Sequence, residues 1–109
     1  MVDRRFWVAD GRRADFEGVL GASGPWARLL YEADGYLFTE VWCESPEARQ
    51  YRVKDWWDWH RNFERFRGRF QSECERFESW IVSEGLVERA QFLGAYYEKY
   101  SDGDDLVPS

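Results

Sequence analysis

Residues 54–80, KDWWDWHRNFERFRGRFQSECERFESW, decide how this chain folds. Three of its seven tryptophans, Trp56, Trp57 and Trp59, and its one histidine, His60, fall within five residues. From there Trp59, Phe63, Phe66, Phe70, Cys74, Phe77 and Ile81 follow at intervals of 4, 3, 4, 4, 3 and 4. Those intervals set one apolar stripe along a helix of about six turns. Arg61, Glu64, Arg65, Arg67, Gly68, Glu75 and Glu78 fall on the opposite, charged face, where pairs of opposite sign sit three or four residues apart. Before the stripe, residues 49–57 (RQYRVKDWW) alternate as a strand does. A strand therefore runs into a long helix through an aromatic junction, and the helix is expected to break or bend near Gly68.

Working outward, residues 36–43 (YLFTEVWC) alternate as well, with Tyr36, Phe38, Glu40 and Trp42 on one face and Leu37, Thr39, Val41 and Cys43 on the other. The turn ESPE at 44–47 joins the two strands into an antiparallel hairpin. Upstream, RRFWVA at 4–9 is rich in strand-favouring residues and is closed by Asp10-Gly11. Residues 12–20 carry Phe16, Val19 and Leu20 at helical spacing. GASG at 21–24 breaks that helix, and Pro25 suits the first position of a second short one. Downstream, Ser83-Glu84-Gly85 ends the long helix, and a last strand is expected over 88–97. The order β, α(α), β, β, α, β is that of a split βαβ, ferredoxin-like α+β fold: a four-stranded antiparallel sheet with helices on one face. The uncovered face is left with aromatic side chains, which points to a homodimer packed through the sheets.

At 109 residues the chain is read as one domain over 1–100, followed by an acidic, flexible tail, SDGDDLVPS, at 101–109. Aromatic residues make up 19% of the sequence, more than one small core absorbs, so some are expected to wall a cavity or a partner surface. A net charge of −6, with arginines interleaved among glutamates, argues against nucleic-acid binding. The sequence holds no apolar run of membrane-spanning length and no signal-peptide core, so a cytoplasmic protein without a membrane partner is expected. Cys43 and Cys74 form no CxxC motif and one histidine makes no cluster, so no metal site is expected, and both thiols read as small apolar groups.

Gly24-Pro25-Trp26-Ala27-Arg28-Leu29-Leu30, Ala33-Asp34-Gly35-Tyr36-Leu37, Tyr51-Arg52-Val53 leading to Trp57, and Phe63-Glu64-Arg65-Phe66-Arg67 resemble the antibiotic biosynthesis monooxygenase family. That family belongs to the dimeric α+β barrel superfamily, and the resemblance runs over about residues 4–98. It implies a homodimer with a pocket between sheet and helices in each protomer. Members of the family include cofactor-free oxygenases of aromatic polyketide phenols or anthrones, haem-degrading oxygenases, and proteins with no known reaction. Against the quinone-forming members, Trp57 matches the tryptophan before the long helix, while Val53 stands in place of an asparagine and Phe63 in place of a tyrosine. Against the haem-degrading members, Phe66 stands in place of a tryptophan and no histidine follows His60.

Trp26, Tyr31, Tyr51, Trp57, Phe63 and Phe66 are therefore the expected walls of a substrate pocket, with Trp56 on the dimer side or rim. Arg28 and Arg52 read either as anchors for a phenolate or carboxylate or as surface residues. His60 reads either as an exposed helix-start residue or as a general base, the one side chain here whose ordinary pKa suits proton transfer near neutrality. Two functions follow. One is a cofactor-independent monooxygenase or tailoring enzyme for an apolar aromatic substrate. The other is a non-catalytic dimeric protein that binds a hydrophobic aromatic ligand, with haem on His60 as one version. A third reading has the aromatic side chains themselves filling the pocket.

Overall fold

The computed structural model describes residues 1–96; the tail expected at 101–109, and the last residue of the expected final strand, Tyr97, lie outside them. Eight elements follow in order: β1 (Val2–Val8), α1 (Arg13–Leu20), α2 (Pro25–Leu30), β2 (Tyr36–Ser45), β3 (Gln50–Trp57), α3 (His60–Arg69), α4 (Gln71–Ser83) and β4 (Val87–Ala95). The strands form one sheet in the order β2-β3-β1-β4, and every neighbouring pair is antiparallel. This is the expected ferredoxin-like α+β architecture, with the two halves crossing so that β1 and β3 lie at the centre. Among the described residues, no helix is long and apolar enough to cross a membrane.

Local chemistry places the boundaries. Pro25 occupies the first turn of α2, where its missing N–H costs nothing. Gly11, Gly35 and Gly85 close turns at φ of 79°, 89° and 72°, the left-handed region that a side chain disfavours. Gly35 is also held sterically: a Cβ there would lie 2.2 Å from Asp58 Oδ1 and 2.4 Å from Asn62 Nδ2. Its carbonyl accepts from the Asp58 N–H at 2.8 Å, so the start of β2 is clamped to the junction between β3 and α3.

Two expectations are corrected. The apolar stripe from Phe63 to Ile81 faces the core on two helices, and the break expected near Gly68 falls at Phe70. Phe70 leaves helical geometry at φ −112°, ψ 28° and serves as the last residue after α3 and the one before α4. Phe66 of α3 and Cys74 and Ile81 of α4 are all buried. Trp59, first in the stripe, caps α3 instead and is 66% exposed. The second correction concerns the faces of β2. A register irregularity between Tyr36 and Phe38 puts Leu37 in a bulge, which moves Tyr36 onto the helix-side face with Thr39, Val41 and Cys43. Phe38, Glu40 and Trp42 remain on the open face.

The core lies between sheet and helices and is built on Phe6, Val8, Phe16, Leu20, Leu30, Tyr51, Val53, Ile81 and Leu86, each at most 1% exposed. The open face is different in kind. There Arg52 binds both Asp3 and Glu44, and Glu44 also accepts from Arg5 at 3.0 Å and Gln50 at 2.8 Å. Burial alone would raise the Glu44 carboxyl, but these donors outweigh it and hold it at about 2. The Arg52 guanidinium is pushed up mainly by its bonds to Asp3 and then to Glu44. Aromatic rings surround this lattice: Trp42 beneath Arg52 and Lys54, Phe38 stacked on Trp56, and Trp7 beneath Arg89.

Candidate functional site

At one end of the sandwich a cavity of about 430 Å³ opens between the sheet and the paired helices. Its floor is Arg4 and Phe6 of β1, Asp55 and Trp57 of β3, and Trp26 and Leu30 of α2. Phe63, Phe66 and Arg67 of α3, Glu78 and Val82 of α4, and Ala90, Gln91 and Phe92 of β4 complete the walls and mouth. The mouth exists because α4 leaves the helix-side face of β4 uncovered: Ala90 is exposed, and Val82 and Phe92 are 52% and 57% exposed.

The aromatic walls follow from strand phase and helix spacing. On β3, Tyr51, Val53, Asp55 and Trp57 alternate onto the helix side and are all buried. The Trp57 ring is enclosed by Phe66 at 5.4 Å, Tyr36 at 5.7 Å and Phe63 at 5.8 Å between centroids. Trp26 packs on Phe77 at 4.9 Å.

Within this apolar setting lies a charged pair. Arg4 Nη2 donates to Asp55 Oδ2 at 2.9 Å, with side chains 9% and 4% exposed. Trp26 Nε1 donates to the same carboxylate at 3.1 and 3.3 Å, and Thr39 Oγ1 donates to Asp55 Oδ1 at 2.6 Å. With the Thr39 proton committed to Asp55, the Tyr36 hydroxyl is the donor across its 2.7 Å bond to Thr39. Burial raises the Tyr36 pKa, so it remains a hydroxyl donor at neutral pH. The Arg4 guanidinium lies 4.5 Å over the Trp26 ring and 5.4 Å over Phe6. A buried carboxylate with three donors and a buried arginine between two rings make a rigid, electrically balanced floor.

Two polar groups on this floor stand apart from the network. Arg4 Nε and Trp57 Nε1 are both buried and have no hydrogen-bond partner.

The structure gathers four of the expected pocket residues, Trp26, Trp57, Phe63 and Phe66, into this lining. The others lie elsewhere. Tyr31 follows α2 at 59% exposure, edge-on to Tyr36 at 5.2 Å. Tyr51 is buried at the far end of β3, where its hydroxyl binds Glu17 and accepts from Arg13 Nε at 3.0 Å. Arg28 is exposed and donates to the Ser23 carbonyl at 2.6 Å. Arg52 belongs to the open face, as above. His60, the first residue of α3, is exposed and does not line the cavity. Trp56 is half-buried on the open face and donates to Glu40 at 2.8 Å.

Arg4 and Asp55 were not among the expected site residues, although the sequence carries a signal for both. Asp55 stands between Val53 and Trp57 in the apolar phase of its strand, and Arg4 precedes Phe6 and Val8 in the apolar phase of its own. A charge in the buried phase of a central strand requires a partner, and each supplies the other's.

Haem would need an axial ligand, and the cavity lining contains no His, Cys, Met or Tyr. Among the described residues no group of three or more His, Cys, Asp or Glu side chains is placed to hold a metal ion. The chain matches no family model, no curated protein and no solved structure.

Proposed function

We propose that this protein binds a small, flat, apolar aromatic molecule in the cavity between its sheet and its helices. The observation that carries this reading is the aromatic cavity itself. At about 430 Å³ it falls in the size range of ligand pockets, it is walled by Trp26, Trp57, Phe63 and Phe66, and it opens to solvent beside Phe92. Binding is favoured over turnover by the placement of the acid–base groups. His60, the base an oxygenase mechanism would draw on, does not line the cavity, and the Asp55 carboxylate already receives three donors. The same reading places a second copy of the chain on the open sheet face. Its positive groups (Arg5, Arg52, Lys54, Arg89) and negative groups (Asp3, Glu40, Glu44) alternate with aromatic rings, so the surface can meet itself about a two-fold axis.

Titration with N-phenyl-1-naphthylamine, a neutral apolar fluorophore, tests the pocket. Saturable enhancement at one probe per chain is expected, and Ala90→Trp at the mouth should abolish it. Enhancement that fails to saturate, or that survives Ala90→Trp, places the probe elsewhere and removes the reading. Sedimentation equilibrium tests the second copy: a monomer at about 100 μM, far above the Kd of a stable dimer, would refute it.

A further inference from the structure

Charge is unevenly spread along this chain. In a protein of net charge −6, α3 carries four arginines, Arg61, Arg65, Arg67 and Arg69, against one glutamate, Glu64. All four arginines are exposed, and none forms an ion pair among the described residues. Outside α3, by contrast, Arg4, Arg5, Arg12, Arg49 and Arg52 each meet a carboxylate. What the α3 arginines touch is neutral: Arg65 donates to Asn62 Oδ1 at 3.3 Å, and Arg67 and Arg69 lie over the Phe63 and Phe70 rings. Arg61, Arg65 and Arg69 recur at i, i+4 and i+8, so they form one exposed stripe along the helix. Trp59, immediately before α3, leaves a large ring 66% exposed at the same end.

A stripe of uncompensated cations on an acidic protein attracts anions, and a set of them is tethered to the same chain. Residues 101–109, SDGDDLVPS, hold Asp102, Asp104 and Asp105 and no basic residue, and Leu106 and Val107 follow the aspartates. The sheet delivers them to the right end of the molecule. Ala95 pairs with Val2 and Val2 with Asp55, so the end of β4 lies two strands, about 10 Å, from the end of β3. From Asp55 the chain needs five residues to enter α3 at His60. Seven residues carry it from Ala95 to Asp102, a reach of up to about 23 Å, and α3 itself is about 15 Å long. The aspartates can therefore meet Arg61 and lie along the stripe. So short a tether sets an effective concentration in the millimolar range, at which a contact with Kd of about 1 mM is occupied at least about half the time. A free polyanion would have to reach the same concentration against the repulsion of the protein's own net charge.

We infer that the arginine stripe of α3, Arg61, Arg65 and Arg69, is the docking surface for this chain's own acidic segment, Asp102 to Asp105. This goes beyond the pocket reading and does not rest on it.

A nitroxide on Ser109→Cys in the full chain, with Cys43→Ser and Cys74 left buried, tests the contact through paramagnetic broadening of backbone amide signals. At about 20 mM salt, where charges act over about 20 Å, the α3 amides around Arg61, Arg65 and Arg69 should broaden. About 0.5 M salt, which shortens that range to about 4 Å, should remove most of the broadening. Arg61→Gln/Arg65→Gln/Arg69→Gln and Asp102→Asn/Asp104→Asn/Asp105→Asn should each do the same at low salt. No α3 broadening at low salt, broadening centred on Ala90 and Phe92 instead, or α3 broadening that neither salt nor the neutral variants reduce would overturn the inference. So would equal broadening when isotope-labelled protein without nitroxide is mixed with unlabelled protein that carries it, because the occupant would then be the segment of a second copy. The fluorophore titration reads the cavity separately, so either reading can fail while the other stands.

Discussion

Replacing Asp55 by Leu removes the acceptor on which the cavity floor converges. Arg4 would be left charged with its side chain 9% exposed, and the Trp26 N–H would lose its partner, while Thr39 could turn its proton toward Tyr36. Because both members of the pair are more than nine-tenths buried, solvent screens little of this, and breaking such a pair from one side costs about 3–5 kcal/mol. Arg4→Met should cost a similar amount for the converse reason, tempered by the two donors that still reach the carboxylate. In Arg4→Met/Asp55→Leu both charges are gone. The remaining defect is the Trp26 N–H, which costs about 1–3 kcal/mol. The double variant should therefore be more stable than Asp55→Leu alone, with a coupling of at least about 3 kcal/mol. Urea unfolding followed by circular dichroism measures all four proteins, with midpoints compared at constant slope. A single variant unfolded at 25 °C still answers the question, since the double is expected to regain the native signal. Additive losses, or a double weaker than either single, would show that the pair is not the compensated unit described.

Glu44 is held at about 2 against an ordinary value of 4.5, so its contribution is complete above pH about 5 and lost as pH falls toward 2. Glu44→Gln should flatten that part of the acid limb, by at most about 3 kcal/mol, in Tm measured from pH 2 to 7; an unchanged limb would contradict the lattice. At the alkaline end, burial raises Tyr36, Tyr51 and Cys74, so their contribution is present below their ordinary values and fades as pH rises through the folded ones. Stability should accordingly decline above pH about 9. Thiol labelling with a chromogenic disulfide should reach the half-buried Cys43 first, and Cys74 only on unfolding; equal rates would refute the burial assigned to Cys74. Gly35→Ala should cost about 1–3 kcal/mol, because a left-handed φ of 89° and contact with Asp58 and Asn62 act together, and a loss below about 0.5 kcal/mol in urea unfolding would count against the clamp.

Much of the fold could be read from periodicity. The alternations in residues 36–43 and 49–57 and the stripe after Trp59 mark β2, β3 and the α3–α4 wall, and with the strands read at either end of the chain their order gives the fold. Departures from regular repeats were legible only in part: Gly68 signalled a break in the helix but not its place. A bulge at Leu37 shifts Tyr36 to the other face without altering composition, and the break at Phe70 leaves the 3- and 4-residue spacing intact. For the cavity, aromatic character was a fair guide, and it found Trp26, Trp57, Phe63 and Phe66. It also drew in Tyr31 and Tyr51, since periodicity fixes the face of an element but not the distance along it. Tyr51 shares the buried phase of Trp57 yet sits three turns of the alternation away, under α1. The pairing of Arg4 with Asp55 is written in no local spacing and is visible only when two strands are laid side by side.

The joint at Phe70 has a mechanical consequence. The helical wall of the cavity comes in two pieces, Phe63, Phe66 and Arg67 ahead of the joint and Glu78 and Val82 behind it, and the pieces meet at one residue already outside helical geometry. Widening the mouth then requires a change in the backbone angles at a single position. If the cavity takes a guest as proposed, a hinge at this joint would admit it with no strand parting and no run of helical hydrogen bonds breaking. Stiffening that position, rather than altering any residue that touches the guest, is the change that would slow entry and exit together while leaving affinity in place.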